Sequence, residues 1–206
     1  KDIQNGAKGI NLIARSQDYL YFLNEEYNYA TENNEYSLYL FDIDFDENSP
    51  SHFKLSTQEK VREALLQIAP CLNLVQTLSR VSSSSNIKNI ETNEYRNETK
   101  SIHFYIIVAN ATNKNIANFS EYLKRRCWLN NFAYMTSNGV GIVDKYILDF
   151  SVPSPERLIV ESLPITEPPY IKELERSTFY NGGILNLEAI DYASEPDYQD
   201  KILAYK

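Results

Sequence analysis

A chain of 206 residues with 43% hydrophobic and 23% charged side chains suits one sizeable packed domain or two small ones and excludes a disordered polypeptide. Its formal net charge of −8 excludes a broad non-specific DNA-binding surface but leaves room for a local basic groove. No run approaches the ~20 apolar residues of a membrane helix, no secretory leader is visible, and six glycines argue against a Gly-rich nucleotide cradle.

In chain order, Ser16 is placed to cap a helix over residues 18–26, with Tyr19, Phe22 and Leu23 on one face. After a polar turn at 31–35, residues 38–46 (Leu-Tyr-Leu-Phe-Asp-Ile-Asp-Phe-Asp) read as a strand. Side chains alternate across a strand, so Asp42, Asp44 and Asp46 share one face and Phe41, Ile43 and Phe45 the other, with neighbouring acids roughly 6–7 Å apart. Ser56 and Glu59 form a capping box before Val61, Ala64, Leu65 and Ile68 at helical spacing, and Pro70 ends that helix. Residues 72–78 read as a second strand, and 79–100 as a flexible loop or the arm of a hairpin.

Residues 101–108 (Ser-Ile-His-Phe-Tyr-Ile-Ile-Val) are a strong strand. The spacing of Ile116, Phe119, Leu123 and Cys127 predicts an amphipathic helix over 115–129. Lys124, Arg125 and Arg126 in its last turns suit either the helix C-terminus and solvent or a phosphate backbone. A strand over 133–136, a turn at Ser137-Asn138-Gly139, a strand over 146–152 and extended structure over 157–161 follow. Residues 1–165 are expected to form the catalytic unit, and 166–206 a tail that packs on it or a linker to a further domain. The chain opens on Lys1 rather than Met, which reads as an excised piece of a longer protein. Cys71 and Cys127, the two cysteines, both stand in apolar text and are expected as free buried thiols in a reducing cytoplasm.

Three strands carry polar residues that a core strand does not need. Asp42 and Asp44 are on one, Ser101 and His103 on another, and Asp149, between Leu148 and Phe150, on a third. Asp149 is expected to be partly buried and to need a divalent metal or a cation such as Lys145 or Arg157. A lone strand histidine is more often structural than functional, but Ser101 faces the same way as His103 and together they suit an anion. No Gly-x-Ser-x-Gly elbow or Gly-x4-Gly-Lys-Ser/Thr phosphate loop is present. Three carboxylates with a Ser/His pair suit nucleotidyl transfer with two divalent metals.

The order Phe41-Asp42-Ile43-Asp44, then Ser101-Ile102-His103, then Leu148-Asp149 resembles the three motifs of the archaeo-eukaryotic primase superfamily. The text around them, over residues 36–162, is similar to primase-polymerase domains of plasmid and phage replication proteins. The resemblance implies an α/β (α+β) fold in which an N-terminal αβ unit packs on an RRM-like unit, with the active site between two sheets. It implies Asp42, Asp44 and Asp149 as catalytic metal ligands for Mg2+ or Mn2+. Ser101 and His103 would contact the triphosphate of the incoming nucleotide, with Arg80 or Lys88 reaching phosphates and Arg157 an ion-pair partner. Implied partners are a single-stranded DNA template, a primer, dNTPs or rNTPs, and a helicase domain or other replication partner, with no membrane. The zinc module of many relatives cannot be built from two cysteines. Two other functions use the same text: a replication-initiation DNA-binding module with little or no catalysis, and a metal-dependent nuclease. In the leading reading Asp46 has no role and is solvated.

Overall fold

A computed structural model describes residues 12–13, 36–45, 48–97, 101–137, 139–153, 159–160, 164–173, 177–193 and 198–205. The helix expected over 18–26, Asp46 and Arg157 lie outside the described residues. The strands are β1 (Leu12–Ile13), β2 (Tyr36–Asp44), β3 (Thr77–Val81), β4 (Ile87–Asn89), β5 (Tyr95–Asn97), β6 (Ser101–Ala109), β7 (Ala133–Ser137), β8 (Ile142–Tyr146), β9 (Ile159–Val160), β10 (Tyr170–Lys172), β11 (Thr178–Tyr180) and β12 (Leu185–Asn186). The helices are α1 (Gln58–Ile68), α2 (Asn113–Leu129) and α3 (Gln199–Tyr205).

The chain is a mixed α+β structure with mainly antiparallel sheets. β6 is central because it is paired along both edges, and seven of its nine residues are buried. β2 runs antiparallel along one edge of β6, from Tyr36 opposite Ala109 to Asp44 opposite Ser101. β3 lies antiparallel on the other edge, with β11 outside it, and β12 extends that edge in parallel at Val108 and Ala109. Tyr39, Phe41, Ile43, Ile102, Phe104 and Ile106 fill one face and pack with the apolar stripes of α1 and α2. Tyr39 meets Phe119 edge to face at 5.2 Å, a geometry that adds about 0.5–1.5 kcal/mol to the burial of the rings. On the opposite face Leu40 and Tyr105 are covered by Val152.

Several boundaries differ from the sequence reading. The strand expected over 72–78 is a 3-10 turn, Pro70–Leu74, followed by β3. Pro70 ends α1 and its fixed φ starts that turn, which leaves Leu74 exposed. The strand expected over 146–152 stops at Tyr146, apart from one bridge between Ile43 and Leu148. Beyond that bridge Asp149 ends the extended run: its Oδ1 accepts from the Ser151 N–H (2.8 Å) and the Ser151 hydroxyl (2.6 Å) and folds the chain into a turn. Residues 79–81 belong to β3, while β4 and β5 form the hairpin. β7 and β8 form a second hairpin, with Ser137 opposite Ile142; Asn138 of the expected turn lies outside the described residues.

The α1 cap is Thr57, one residue after the expected Ser56; its hydroxyl accepts from the Lys60 N–H at 3.3 Å. Thr57→Ala is therefore expected to lower stability by about 1 kcal/mol and Ser56→Ala by almost nothing, as read from denaturant midpoints. In the basic cluster on α2, Lys124 pairs with Glu121 at 2.6 Å and the two arginines are spent on main-chain carbonyls. Arg126 donates to the carbonyls of Gln67 and Ile68 at the end of α1, and Arg125 to that of Tyr192. Both thiols are free; Cys127 is buried and Cys71 partly so, and burial pushes both upward in pKa.

Residues beyond 166 enter the sheets. β10 pairs with β4, β11 with β3 and β12 with β6, and Leu187 is fully buried. Among the described residues, no helix is long and apolar enough to cross a membrane.

Candidate active site

The sheet register brings the predicted residues together. Asp42 stands opposite His103 on β6, and His103 opposite Arg80 on β3. Opposed residues share a face, so the three side chains form one row across the sheet. One step along, Asp44 stands opposite Ser101.

The Ser101 hydroxyl donates to Asp42 Oδ1 at 2.9 Å, joining two motifs 59 residues apart. His103 Nε2 lies 3.6 Å from the same oxygen, an electrostatic contact longer than a hydrogen bond. His103 Nδ1 is 3.4 Å from the Tyr105 hydroxyl. With Nε2–H turned to Asp42, Nδ1 is the acceptor for that hydroxyl. Both side chains are largely enclosed, His103 9% and Asp42 20% exposed.

Asp149 arrives from the other side of β2. Its N–H donates to the Asp42 carbonyl at 2.9 Å, and the Ile43–Leu148 bridge sets the antiparallel register that puts Asp149 opposite Asp42. Its carboxylate is exposed, a correction to the burial expected from its apolar neighbours. The Ser151 turn lifts the chain out of the strand at that point.

An open cleft of about 430 Å³ lies beside the row. Asp44 and Asp149 both line it, with Tyr134, Asp144, Lys145 and Tyr146 from the β7–β8 hairpin. Asp42, Ser101 and His103 are not among its described lining residues. Phe53 meets Tyr134 edge to face at 5.4 Å, and Tyr146 meets Phe150 likewise at 5.1 Å, so aromatic pairs form two walls. Burial, with the Asp144 charge second, pushes the Tyr146 hydroxyl up in pKa; it donates to Asp144 Oδ2 at 3.2 Å.

Lys88 stands elsewhere, on β4 of the small sheet. It pairs with Glu173 Oε1 at 3.3 Å and lies over the Tyr95 ring. The Tyr95 hydroxyl and Lys88 together hold the Glu173 carboxyl below its usual range. Lys145 is exposed on the cleft. Asp144 and Tyr134 were not picked out from sequence. An acid inside a strand, five residues before Asp149, is the signal that marks Asp144.

The carboxylates that line the cleft, Asp44, Asp144 and Asp149, are hard oxygen donors of the kind that Mg2+ and Mn2+ take, and all three are exposed, while Asp42 stands beside them in the row. They fit such ions in donor type. Among the described residues, no three His, Cys, Asp or Glu side chains are gathered into a ready-made ligand set. No protein-family model, curated protein or solved structure matches this chain.

Proposed function

We propose that the chain is the catalytic domain of a template-dependent nucleotidyltransferase, a DNA primase or DNA polymerase of the archaeo-eukaryotic primase type, acting in DNA replication. The observation that carries the reading is the hydrogen bond from Ser101 to Asp42, with His103 beside it and the Asp149 amide on the Asp42 carbonyl. Three short motifs, each common by chance, meet at one residue. In this reading the β2–β6–β3 sheet with α1 and α2 belongs to the αβ part of a primase fold, and the cleft under the β7–β8 hairpin is where the two parts of the site join.

Asp42, Asp44 and Asp149 would hold two Mg2+ or Mn2+ ions. Bound there, these ions would acidify the attacking 3′-hydroxyl and offset charge on the departing pyrophosphate. The chain's own contribution is to seat the nucleotide. Ser101 and His103, whose donors face Asp42 in the unliganded chain, would turn them to the polyphosphate from the central strand, and Arg80 would add positive charge in the same row. Hydrogen bonds from such groups to a charged ligand contribute about 1.5–3 kcal/mol each. The β2 backbone holds Asp42 and Asp44 two residues apart on one face, so neither has to be ordered when the nucleotide arrives. Without counter-charge the three carboxylates repel one another, which favours cation capture.

The partners in this reading are a single-stranded DNA template, a primer, and dNTPs or rNTPs, with a helicase or other replication domain outside this chain. The test is a gel of labelled nucleotide incorporation on unprimed and primed single-stranded DNA. The expected result is metal-dependent product, lengthened from a primer or started without one, and none with chelator. Shortened DNA instead would support the nuclease, and duplex binding without incorporation the initiation module.

A further inference from the structure

The proposed reaction leaves unexplained the side chain of Lys172, on β10. Its ammonium donates to the carbonyl of Ser82 at 3.0 Å and to the carbonyl of Ser85. Both carbonyls belong to the turn after β3, residues 82–86, which the Ser85 N–H closes onto the Ser82 carbonyl at 3.1 Å. The turn is fastened at each end. The Ser82 N–H donates to the Ser101 carbonyl at 3.0 Å, and the carbonyl of Asn86 accepts from the Glu173 N–H at 2.9 Å. Asn86 sits at φ 54°, the left-handed region that Asn tolerates.

Ser82, Ser85 and Asn86 are buried, Ser85 to 1% exposure. Enclosed main-chain carbonyls require donors, and one lysine serves two of them from 90 residues further along the chain. The path from this ammonium to the site has three links. Lys172 holds Ser82, the Ser82 N–H holds the Ser101 backbone, and the Ser101 hydroxyl holds Asp42. His103 is two residues along the same strand.

We propose that Lys172 is a positioning residue for the nucleotide's phosphates. It fixes the 82–86 turn, and through that turn the end of β6 that presents Ser101 and His103. The inference rests on the nucleotidyltransferase reading above. Lys172 acts through the turn and through Ser101, so its loss falls on nucleotide binding more than on the chemical step.

The test compares Lys172→Met, which keeps the hydrocarbon stem, with Lys172→Arg and with Lys201→Met. Lys201 is a matched control: it also donates to a main-chain carbonyl, that of Leu129 at 3.0 Å, at the end of α2. Lys172→Met is expected to raise the nucleotide KM about tenfold, because the two carbonyl hydrogen bonds that hold the turn are lost. At saturating nucleotide, kcat is expected to stay within about threefold, and Lys172→Arg to recover most of the KM. Amide exchange at Ser82 and Ser85 is expected to quicken in Lys172→Met and not in Lys201→Met. If Lys172→Met fails to fold, Lys172→Gln replaces it under the same criteria. An unchanged KM in an active Lys172 variant, or an equal KM rise in Lys201→Met, overturns the proposal alone. A wild-type chain that incorporates no nucleotide overturns the nucleotidyltransferase reading and this inference with it.

Discussion

Asp42→Asn is expected to abolish nucleotide addition while leaving the fold almost untouched. The substitution keeps an oxygen that accepts from the Ser101 hydroxyl, so the 2.9 Å hydrogen bond survives. It removes the negative charge that the proposed site needs. Charge stabilisation of several kcal/mol at the reacting phosphates is then lost, which corresponds to a fall in kcat of about a thousandfold or more. Asp42→Ala should lose as much activity but also some stability, because it strands the Ser101 hydroxyl beside His103 in a largely enclosed row. An unmet buried hydroxyl costs about 1–3 kcal/mol. Asp44 is exposed at the cleft, so Asp44→Ala should lose activity with no measurable change in thermal midpoint. Steady-state incorporation beside thermal unfolding of the three variants separates these outcomes. An Asp42→Asn chain that retains a tenth of wild-type kcat would remove Asp42 from the chemistry.

Gly182→Ala is expected to be the most damaging small substitution for stability. A Cβ at residue 182 would stand 2.4 Å from the Val75 carbonyl carbon and 2.5 Å from the Gln76 nitrogen. Both are main-chain atoms, which cannot rotate away as a side chain would. The close approach exists because the chain before β12 is laced to the segment before β3. Gly183 N–H donates to the Leu74 carbonyl at 2.8 Å, and Gln76 N–H to the Gly183 carbonyl at 2.8 Å. Relieving the clash breaks one or both bonds and pulls at Leu185 and Leu187, which are buried in the main core. The expected cost is about 3 kcal/mol, or roughly 6–12 °C in thermal midpoint for a domain of this size. Gly183→Ala, whose Cβ has a single neighbour at 3.8 Å, should change the midpoint little. The contrast between adjacent glycines tests whether the C-terminal segment is built into the sheet.

Asp42, Asp44 and the Ser/His pair were legible in the sequence because they lie on long strands. On nine-residue strands such as β2 and β6, alternation determines which side chains share a face. Arg80 was named, but its place opposite His103 follows from the register of β3 on β6, which alternation within one strand does not report. Ser56 and Thr57 are both good caps, and only the first helical hydrogen bond, from Val61 N–H to the Thr57 carbonyl, selects between them. Asp149 looked enclosed because its neighbours are apolar, yet a local side-chain bond to Ser151 takes it out of the strand. The C-terminal strands β10 to β12 have two or three residues each, too few for any period to register. Lys172 was invisible for the same reason, since its meaning lies in carbonyls 87 and 90 residues away.

The most direct measurement follows a 5′-labelled primer annealed to a single-stranded DNA template. Wild type and the Asp42→Ala/Asp44→Ala double variant are run side by side with nucleotides and Mn2+ or Mg2+. The account predicts that the wild-type chain lengthens the primer and that the double variant leaves it at its starting length. A double variant that extends the primer as well as wild type, or a wild-type chain that only shortens it, would contradict the account.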